Sequence, residues 1–345
     1  MTSPIAHKIL APAAAVAVAL GGLALLGVPD GTASALTQAV HTSHAAPASA
    51  PLARMEGVAH QSGAVTPVQR QAVLDYWTSE RMAAALPITG LVGDALEAAA
   101  PEAPTERQAA PHDNSTGEVW TGGGAVTRTT GKVYLTMNGR DFTCSASVVD
   151  SANRSTVVTA GHCTKDGRGS WARNWTFVPG YDRGSAPYGR YTAREMLAPP
   201  RWARNADDSH DFAMVVLNTD GGTPVQNRVG AQRIAFDRWP QGRTARGPQV
   251  YAFGYPATSP YRGRYLHYCS GRTTPDDGGT TAHGMRCVMT QGSSGGPWFT
   301  GFDPATGRGT IASVVSFKYA DDTRTQYGPR FGDEARRLFD SAQRL

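Results

Sequence analysis

The sequence predicts an all-β fold of short strands, preceded by a partly helical segment and closed by a C-terminal helix. Three observations carry that prediction. The 39 Gly and 23 Pro in 345 residues exceed the roughly 12% these two residues make up on average, which favours turns and short strands. From about Gly117 onward, short apolar or alternating runs recur between Gly, Asn and Asp turns. Hydrophobic residues are 40% of the chain, enough for one large or two medium domains with a sizeable core. The same composition excludes a coiled coil, a helical solenoid and a mainly disordered chain.

An apolar run from Ile9 to Val28 follows His7 and Lys8 and precedes Pro29, Asp30, Gly31 and the small-x-small triplet Ala33-Ser34-Ala35. That order matches a secretory signal peptide, residues 1–35, with cleavage near Ala35. The competing reading is a single membrane anchor, since about 20 apolar residues just span a bilayer. The many Ala and the Gly at 21, 22 and 27 weaken it. No later stretch approaches membrane length, so the expectation is a secreted, extracellular, monomeric protein with no membrane contact after signal cleavage.

From Leu36 to Ala110 there are 19 Ala, four Gly and no Cys in 75 residues. Between Leu36 and Arg128 five Arg oppose nine Asp or Glu, a net of −4, whereas from Thr129 onward 27 basic residues face 18 acidic ones, a net of +9. An acidic segment before a basic domain reads as a pro-segment, residues 36–116, that docks on residues 117–345. The plainer alternative is a flexible linker. Within it, Thr66-Pro67-Val68-Gln69 places a capping Thr, a Pro at the first helical position and a Gln at the third. The run through Val73, Trp77 and Met82 to Leu86 continues that helix, and Pro87 stops it.

The expected strands are residues 132–137, 142–149, 156–159, 212–217, 250–255, 265–269, 284–289 and 311–317, spacing that suits a barrel or sandwich. Ala335, Leu338, Phe339 and Ala342 recur at helical spacing between Asp333 and Arg344, giving the terminal helix. Cys144, Cys163, Cys269 and Cys287 are even in number on an exported chain and read as two disulfides. Three connectivities are open, and sequence neighbours favour Cys144–Cys163 and Cys269–Cys287.

Three motifs can carry chemistry. An apolar strand ends in Thr159-Ala160-Gly161-His162-Cys163; Asp211 sits at the mouth of the buried run Phe212 to Leu217; and Ser294 lies in Gln291-Gly292-Ser293-Ser294-Gly295-Gly296-Pro297. A serine hydroxyl is a weak nucleophile and needs an imidazole to take its proton. The imidazole needs a carboxylate to hold its tautomer and stabilise the cation. A developing oxyanion needs backbone N–H donors, and Gly beside the serine lets the backbone approach closely.

With these motifs in the order His, Asp, Ser, the chain from about Gly117 to Leu345 resembles the trypsin-like serine peptidases of the bacterial secreted type. The resemblance implies two six-stranded antiparallel β-barrels with the site between them. It implies His162 as general base, Asp211 as its orienting carboxylate and Ser294 as nucleophile, with Gly292 and Ser294 N–H forming the oxyanion hole. Cys144–Cys163 matches the family's disulfide beside the catalytic His. The substrates implied are polypeptides, and no cofactor is needed. Ser293, His210, Asp207 and Asp208 are neighbours that motif position sets aside.

The sequence departs from the animal digestive members at Ser293, where they carry an acid that pairs with the new N-terminal amine after activation. Activation here must work otherwise, through removal of the pro-segment. By resemblance the specificity pocket is walled by Val288, Met289 and Gln291 on one side and by Ser316, Phe317 and Lys318 on the other. No Asp lies at its base, so a preference for Arg or Lys is not expected. Val315 stands where glutamate-specific relatives carry a His. Lys318 falls where many relatives have Gly; it narrows the pocket, attracts acidic side chains, or points to solvent.

Other classes fare worse. A metal site drawn from His283, Cys287 and Cys269 competes with a disulfide and loses on an exported chain. The Asn-x-Ser/Thr matches at Asn114, Asn153 and Asn174 are ordinary coincidences in this length. Basic charge carried by 29 Arg and only four Lys, without interleaved aromatics, gives little support for nucleic acid. An α/β-hydrolase would run Ser, acid, His. The alternative from another class is an inactive trypsin-fold binding or adhesion module, which loss of a triad member would support; none is lost.

Processing is directly testable. N-terminal sequencing of the protein recovered from culture medium is expected to find a start between Thr66 and about Gly117; a form beginning before Thr66 would contradict the pro-segment.

Overall fold

A short strand buried on both faces needs partners along both edges, and the first lobe supplies them by closing on itself. Its six strands are Thr130–Met137, Arg140–Val148, Thr156–Thr159, Arg173–Pro179, Tyr191–Ala198 and Ala213–Leu217. All pairings are antiparallel, and Arg173–Pro179 bonds to both Thr130–Met137 and Tyr191–Ala198, completing the ring. One side chain from each strand shows the packing: Val133, Ala146, Val157, Phe177, Tyr191 and Val215 fill one core. The computed structural model describes residues 57–88, the backbone of 91–92, and residues 111–237, 239 and 247–345. The signal sequence and its cleavage near Ala35 lie outside the described residues.

The second lobe has two sheets around one core. One carries Arg233–Ile234, Arg308–Val314, Pro297–Asp303, Gln249–Gly254, His267–Arg272 and Thr116–Val119; the other carries Thr274–Pro275, His283–Arg286, Asp322–Gly328, Phe317–Tyr319 and Leu91–Val92. Val250, Cys269, Trp298 and Ala312 from the first meet Met285 and Cys287 from the second. The Cys269–Cys287 disulfide staples the two sheets, and Cys144–Cys163 ties the first barrel to the turn after Thr159. Of the three connectivities, the one favoured by sequence neighbours is present. The lobes share a third core, in which Val158, Met214 and Val216 meet Phe253, Phe299 and Val314.

Helix Asp333–Ala342 buries Ala335, Leu338, Phe339 and Ala342, the face read from the sequence. Asp333 and Glu334 occupy its first turn, where the helix dipole favours negative charge.

The segment before the barrels is folded onto the first one. Ala59–Ser62 pairs antiparallel with Glu195–Ala198. The capping box forms: Thr66 Oγ1 accepts from Gln69 N at 3.2 Å while Gln69 Oε1 accepts from Thr66 N at 2.9 Å. The helix does not run on to Leu86. It spans Pro67–Tyr76, breaks, and restarts as Ser79–Ala84, with Leu86–Pro87 extended beside Phe142. Trp77 causes the break. Its ring is buried against Tyr134 and Val178, and Nε1 donates to Asn174 O at 2.5 Å. Thr78 then caps the second helix by accepting from Arg81 N. Burial of one large aromatic outweighs a few more turns of a marginal helix.

Trp77→Ala is expected to cost roughly 3–5 kcal/mol of docking. In an uncleaved chain carrying Ser294→Ala, limited proteolysis should cut residues 57–88 faster than in the Trp77 parent.

Candidate active site

His162 sits on the turn Gly161–Cys163, immediately after the Thr156–Thr159 strand. Asp211 ends the turn Asp208–His210 and precedes the Ala213–Leu217 strand, whose register against Thr156–Thr159 brings the two ends together. His162 Nδ1 lies 2.8 Å from Asp211 Oδ2, and the His162 backbone N–H donates to Asp211 Oδ1 at 2.7 Å. From the second lobe, Ser316 Oγ donates to Asp211 Oδ2 at 2.5 Å. Asp211 is 1% exposed and His162 8%.

Burial is the largest influence on both groups and opposes charge on each. For Asp211 it is overcome by His162, by Ser316 and by the His162 N–H, so the carboxyl titrates below the ordinary range. For His162 it is overcome by the Asp211 carboxylate, with Asp208 and Asp166 adding to it, so the imidazole titrates above the usual 6.5. With Nδ1 on Asp211, His162 Nε2 is the nitrogen left for chemistry; it is buried and has no hydrogen-bond partner.

The serine loop is pinned from several sides. Gly292 and Gly295 have φ of +95° and +82°. A side chain at Gly295 would strike Thr159 Oγ1 and Ser145 O, so both positions are closed to other residues. Ser294 O accepts from Ser145 N at 2.7 Å, and the Cys163 sulfur lies 3.6 Å from the same oxygen. The nucleophile candidate therefore sits beside the His162 turn. Ser293 Oγ donates to Thr290 O at 2.7 Å, so its hydroxyl is used inside its own turn.

Of the neighbours set aside, His210 Nδ1 bonds Asp207 Oδ2 at 3.1 Å and its ring lies within 3.3 Å of Glu334, a supporting position. Burial pushes Asp208 up to about 6, with the Asp211 charge adding to it.

The pocket residues divide. Ser316 binds Asp211, and Gln291 Oε1 accepts from Thr258 Oγ1 at 2.9 Å. Phe317 stacks on Tyr327 with ring centroids 5.1 Å apart. Met289 is fully buried in the second-lobe core and Val288 is half-buried. Lys318 does not point to solvent. Its Nζ donates to Cys287 O and Thr323 O, both at 2.6 Å. The side chain thus reaches from one expected wall to the carbonyl of the residue just before the other. Burial lowers its pKa to about 7. Ser145 and Trp202, whose ring packs 6.4 Å from His162, carried no motif that singled them out.

Among the described residues, Cys144, His162 and Cys163 form the only group of three metal-ligand types within reach of one another. The two sulfurs are bonded to each other and offer no thiolate. The same holds for Cys269 and Cys287, while His283 stacks on Trp239 at 4.8 Å.

Comparison with known proteins agrees with this geometry. The family model described as Trypsin matches residues 121–331. The thermostable serine protease AL20 from an extremophilic microorganism is 43% identical, with a TM-score of 0.59 over 64% of this chain and 99% of that one. Protease Anisep from Arthrobacter nicotinovorans is 40% identical, with a TM-score of 0.58 over 63% of this chain and 96% of that one. An extracellular metalloprotease of Bacillus subtilis is 36% identical over 73 residues, so the chain spans only 23% of that curated relative and 21% of its own length. The family match covers well over half of the chain and both lobes that frame His162, Asp211 and Ser294, and the protein belongs to the trypsin family of serine endopeptidases.

Proposed function

We propose that this chain is the precursor of a secreted endopeptidase that cleaves polypeptides through His162, Asp211 and Ser294. The observation that carries this reading is the buried Asp211–His162 pair at 2.8 Å, held across the lobes by Ser316 and next to the glycine-pinned Ser294 loop. Ser294 Oγ attacks the peptide carbonyl carbon as His162 Nε2 takes its proton. The oxyanion is met by Gly292 and Ser294 N–H. Collapse breaks the C–N bond, and the leaving amine takes the proton from His162. Water, deprotonated by His162, then hydrolyses the acyl-enzyme ester and regenerates Ser294.

Residues 36–116 act as the pro-segment in this reading. The AL20 alignment covers nearly all of that enzyme but leaves about a third of this chain without counterpart, which supports a removable segment. The Leu91–Val92 backbone pairs in parallel with Lys318–Tyr319. Removal would uncover that edge of the expected pocket wall for an extended substrate. The disulfides and the signal-like start support export, and no described helix is long and apolar enough to cross a membrane.

Ser294→Ala or His162→Ala should lower turnover by roughly 10⁴- to 10⁶-fold, and Asp211→Asn by about 10⁴-fold. Ser293→Ala should stay active, since its hydroxyl serves only its turn. If Ser294→Ala keeps activity and Ser293→Ala loses it, the nucleophile is wrong; if neither change lowers activity, the protein is not a serine peptidase acting through this loop. The base must be neutral to act, and Asp211 stabilises its cation. The acid limb of kcat/KM should therefore lie above the ordinary His value of about 6.5, as a pH–rate profile would show.

For specificity, the buried Lys318 side chain fills space beside the expected pocket walls and, in its protonated fraction, repels basic side chains. Peptide-library profiling should rank Arg and Lys last before the scissile bond and favour uncharged residues. Lys318→Gly should raise cleavage after basic or bulky residues by at least about tenfold, the scale of pocket discrimination. An unchanged profile would remove Lys318 from the pocket.

A further inference from the structure

We propose that Ser145 is a positioning residue for the oxyanion site, acting through its hydroxyl on the peptide planes of the Gln291–Ser293 loop. The inference rests on the active-site reading above. Ser145 lies on the Arg140–Val148 strand of the first barrel, just after Cys144, and is 0% exposed. Its backbone N–H donates to Ser294 O, and its backbone O accepts from Thr159 Oγ1. Its side chain is a separate device. Ser145 Oγ donates to Gly292 O at 3.0 Å and accepts from Tyr255 N at 2.9 Å.

Those two bonds leave no rotational choice. Tyr255 N–H can only donate and Gly292 O can only accept, so the single hydroxyl proton must point at Gly292. The Gly292 carbonyl fixes the Gly292–Ser293 peptide plane. The plane before it is fixed by Ala257 N, which donates to Gln291 O at 2.7 Å. In a trans peptide the N–H points opposite its carbonyl, so anchoring Gln291 O on Ala257 aims Gly292 N–H away from Ala257. Gly292, with φ +95° and Tyr255 O and Ala257 Cβ each 2.9 Å from any added Cβ, is the hinge between the two planes. Residues 255–257 and Ser145 thus clamp both sides of the hinge, and without the hydroxyl the Gly292–Ser293 plane keeps only the longer bond from Ser293 N to Thr290 O, 3.3 Å. Ser145 Oγ and Ala257 N act on where the loop's N–H groups point, and that aim counts most once the oxyanion has formed.

The test uses processed enzyme and counts sites with a serine-reactive phosphonate at completion. Wild-type Ser294 should be labelled stoichiometrically; labelling elsewhere or none overturns the active-site assignment itself, before any variant is compared. In Ser145→Ala and Ser145→Gly, kcat per titrated site should fall by about 10- to 100-fold, the scale of a small misplacement of a catalytic group, with KM nearly unchanged. Affinity for a peptidyl trifluoromethyl ketone, whose adduct carries the oxyanion, should fall by the same factor. Ser145→Thr, which keeps the hydroxyl, should recover most of both. A merely structural Ser145 would lower Tm and the number of titratable sites while leaving kcat per site intact, and that result overturns the proposal. So does a loss of kcat with ketone affinity unchanged.

Discussion

Burying an ionised carboxylate costs several kcal/mol unless its oxygens are bonded and a countercharge stands near, and the cleft is arranged around meeting that cost for Asp211. The His162 N–H and Nδ1 come from the turn after one barrel strand, and Ser316 Oγ comes from the other lobe. Removing any of them would leave charge exposed to an apolar interior. The lobes are therefore held in register by the same bonds that orient the imidazole. The price of that arrangement is a pair whose titrations are tied together: the carboxyl is held down and the imidazole held up.

Rigidity on the serine side has a different source. There the backbone does the holding, with Ser145 N on Ser294 O, Gly295 N on Val315 O and Val315 N on Gly296 O. These bonds join the Arg140–Val148 strand of one barrel to the Arg308–Val314 region of the other through the loop itself. The shared core of Val158, Met214, Phe253 and Val314 lies behind them. Motion of one lobe against the other would have to break this packing together with the loop.

What was legible in the sequence was what local chemistry dictates. His162, Asp211 and Ser294 each stand in a motif whose neighbours are constrained by turn geometry, and Thr156–Thr159 is a fully buried strand whose bounds match the run seen in the sequence. Arg173–Pro179 and Tyr191–Ala198 were not legible. Arg194 and Glu195 interrupt the apolar pattern because that stretch pairs with Ala59–Ser62, where Ser62 Oγ bonds Glu195. Asp322–Gly328 has no apolar run at all: its buried residues are Gln326, whose amide donates to Phe317 O, and Gly328, while Tyr327 stacks on Phe317. The break at Trp77 and the inward turn of Lys318 depend on partners far away in sequence, Tyr134 and Asn174 for one, Cys287 and Thr323 for the other. No local pattern encodes them. Ser145 was invisible for the same reason: a serine in a β-strand is unremarkable until the loop it holds is in place.

Ser293 connects these points to activation. In the animal digestive relatives the residue before the nucleophile is an acid whose ion pair with a newly made N-terminus orders the loop. Here that position bonds its own turn through Thr290 O, while Ser145, Ala257 and Val315 hold the residues on either side. Every anchor belongs to the two lobes, and none is supplied by residues 57–88. The loop is thus ordered while that segment is still attached and needs no new terminus to assemble it. The contacts of that segment lie instead on the first barrel, through Trp77 and Ala59–Ser62, and Leu91–Val92 beyond it runs along Lys318–Tyr319. On the proposed pro-segment reading, its removal would change access to the cleft rather than the geometry of the groups within it.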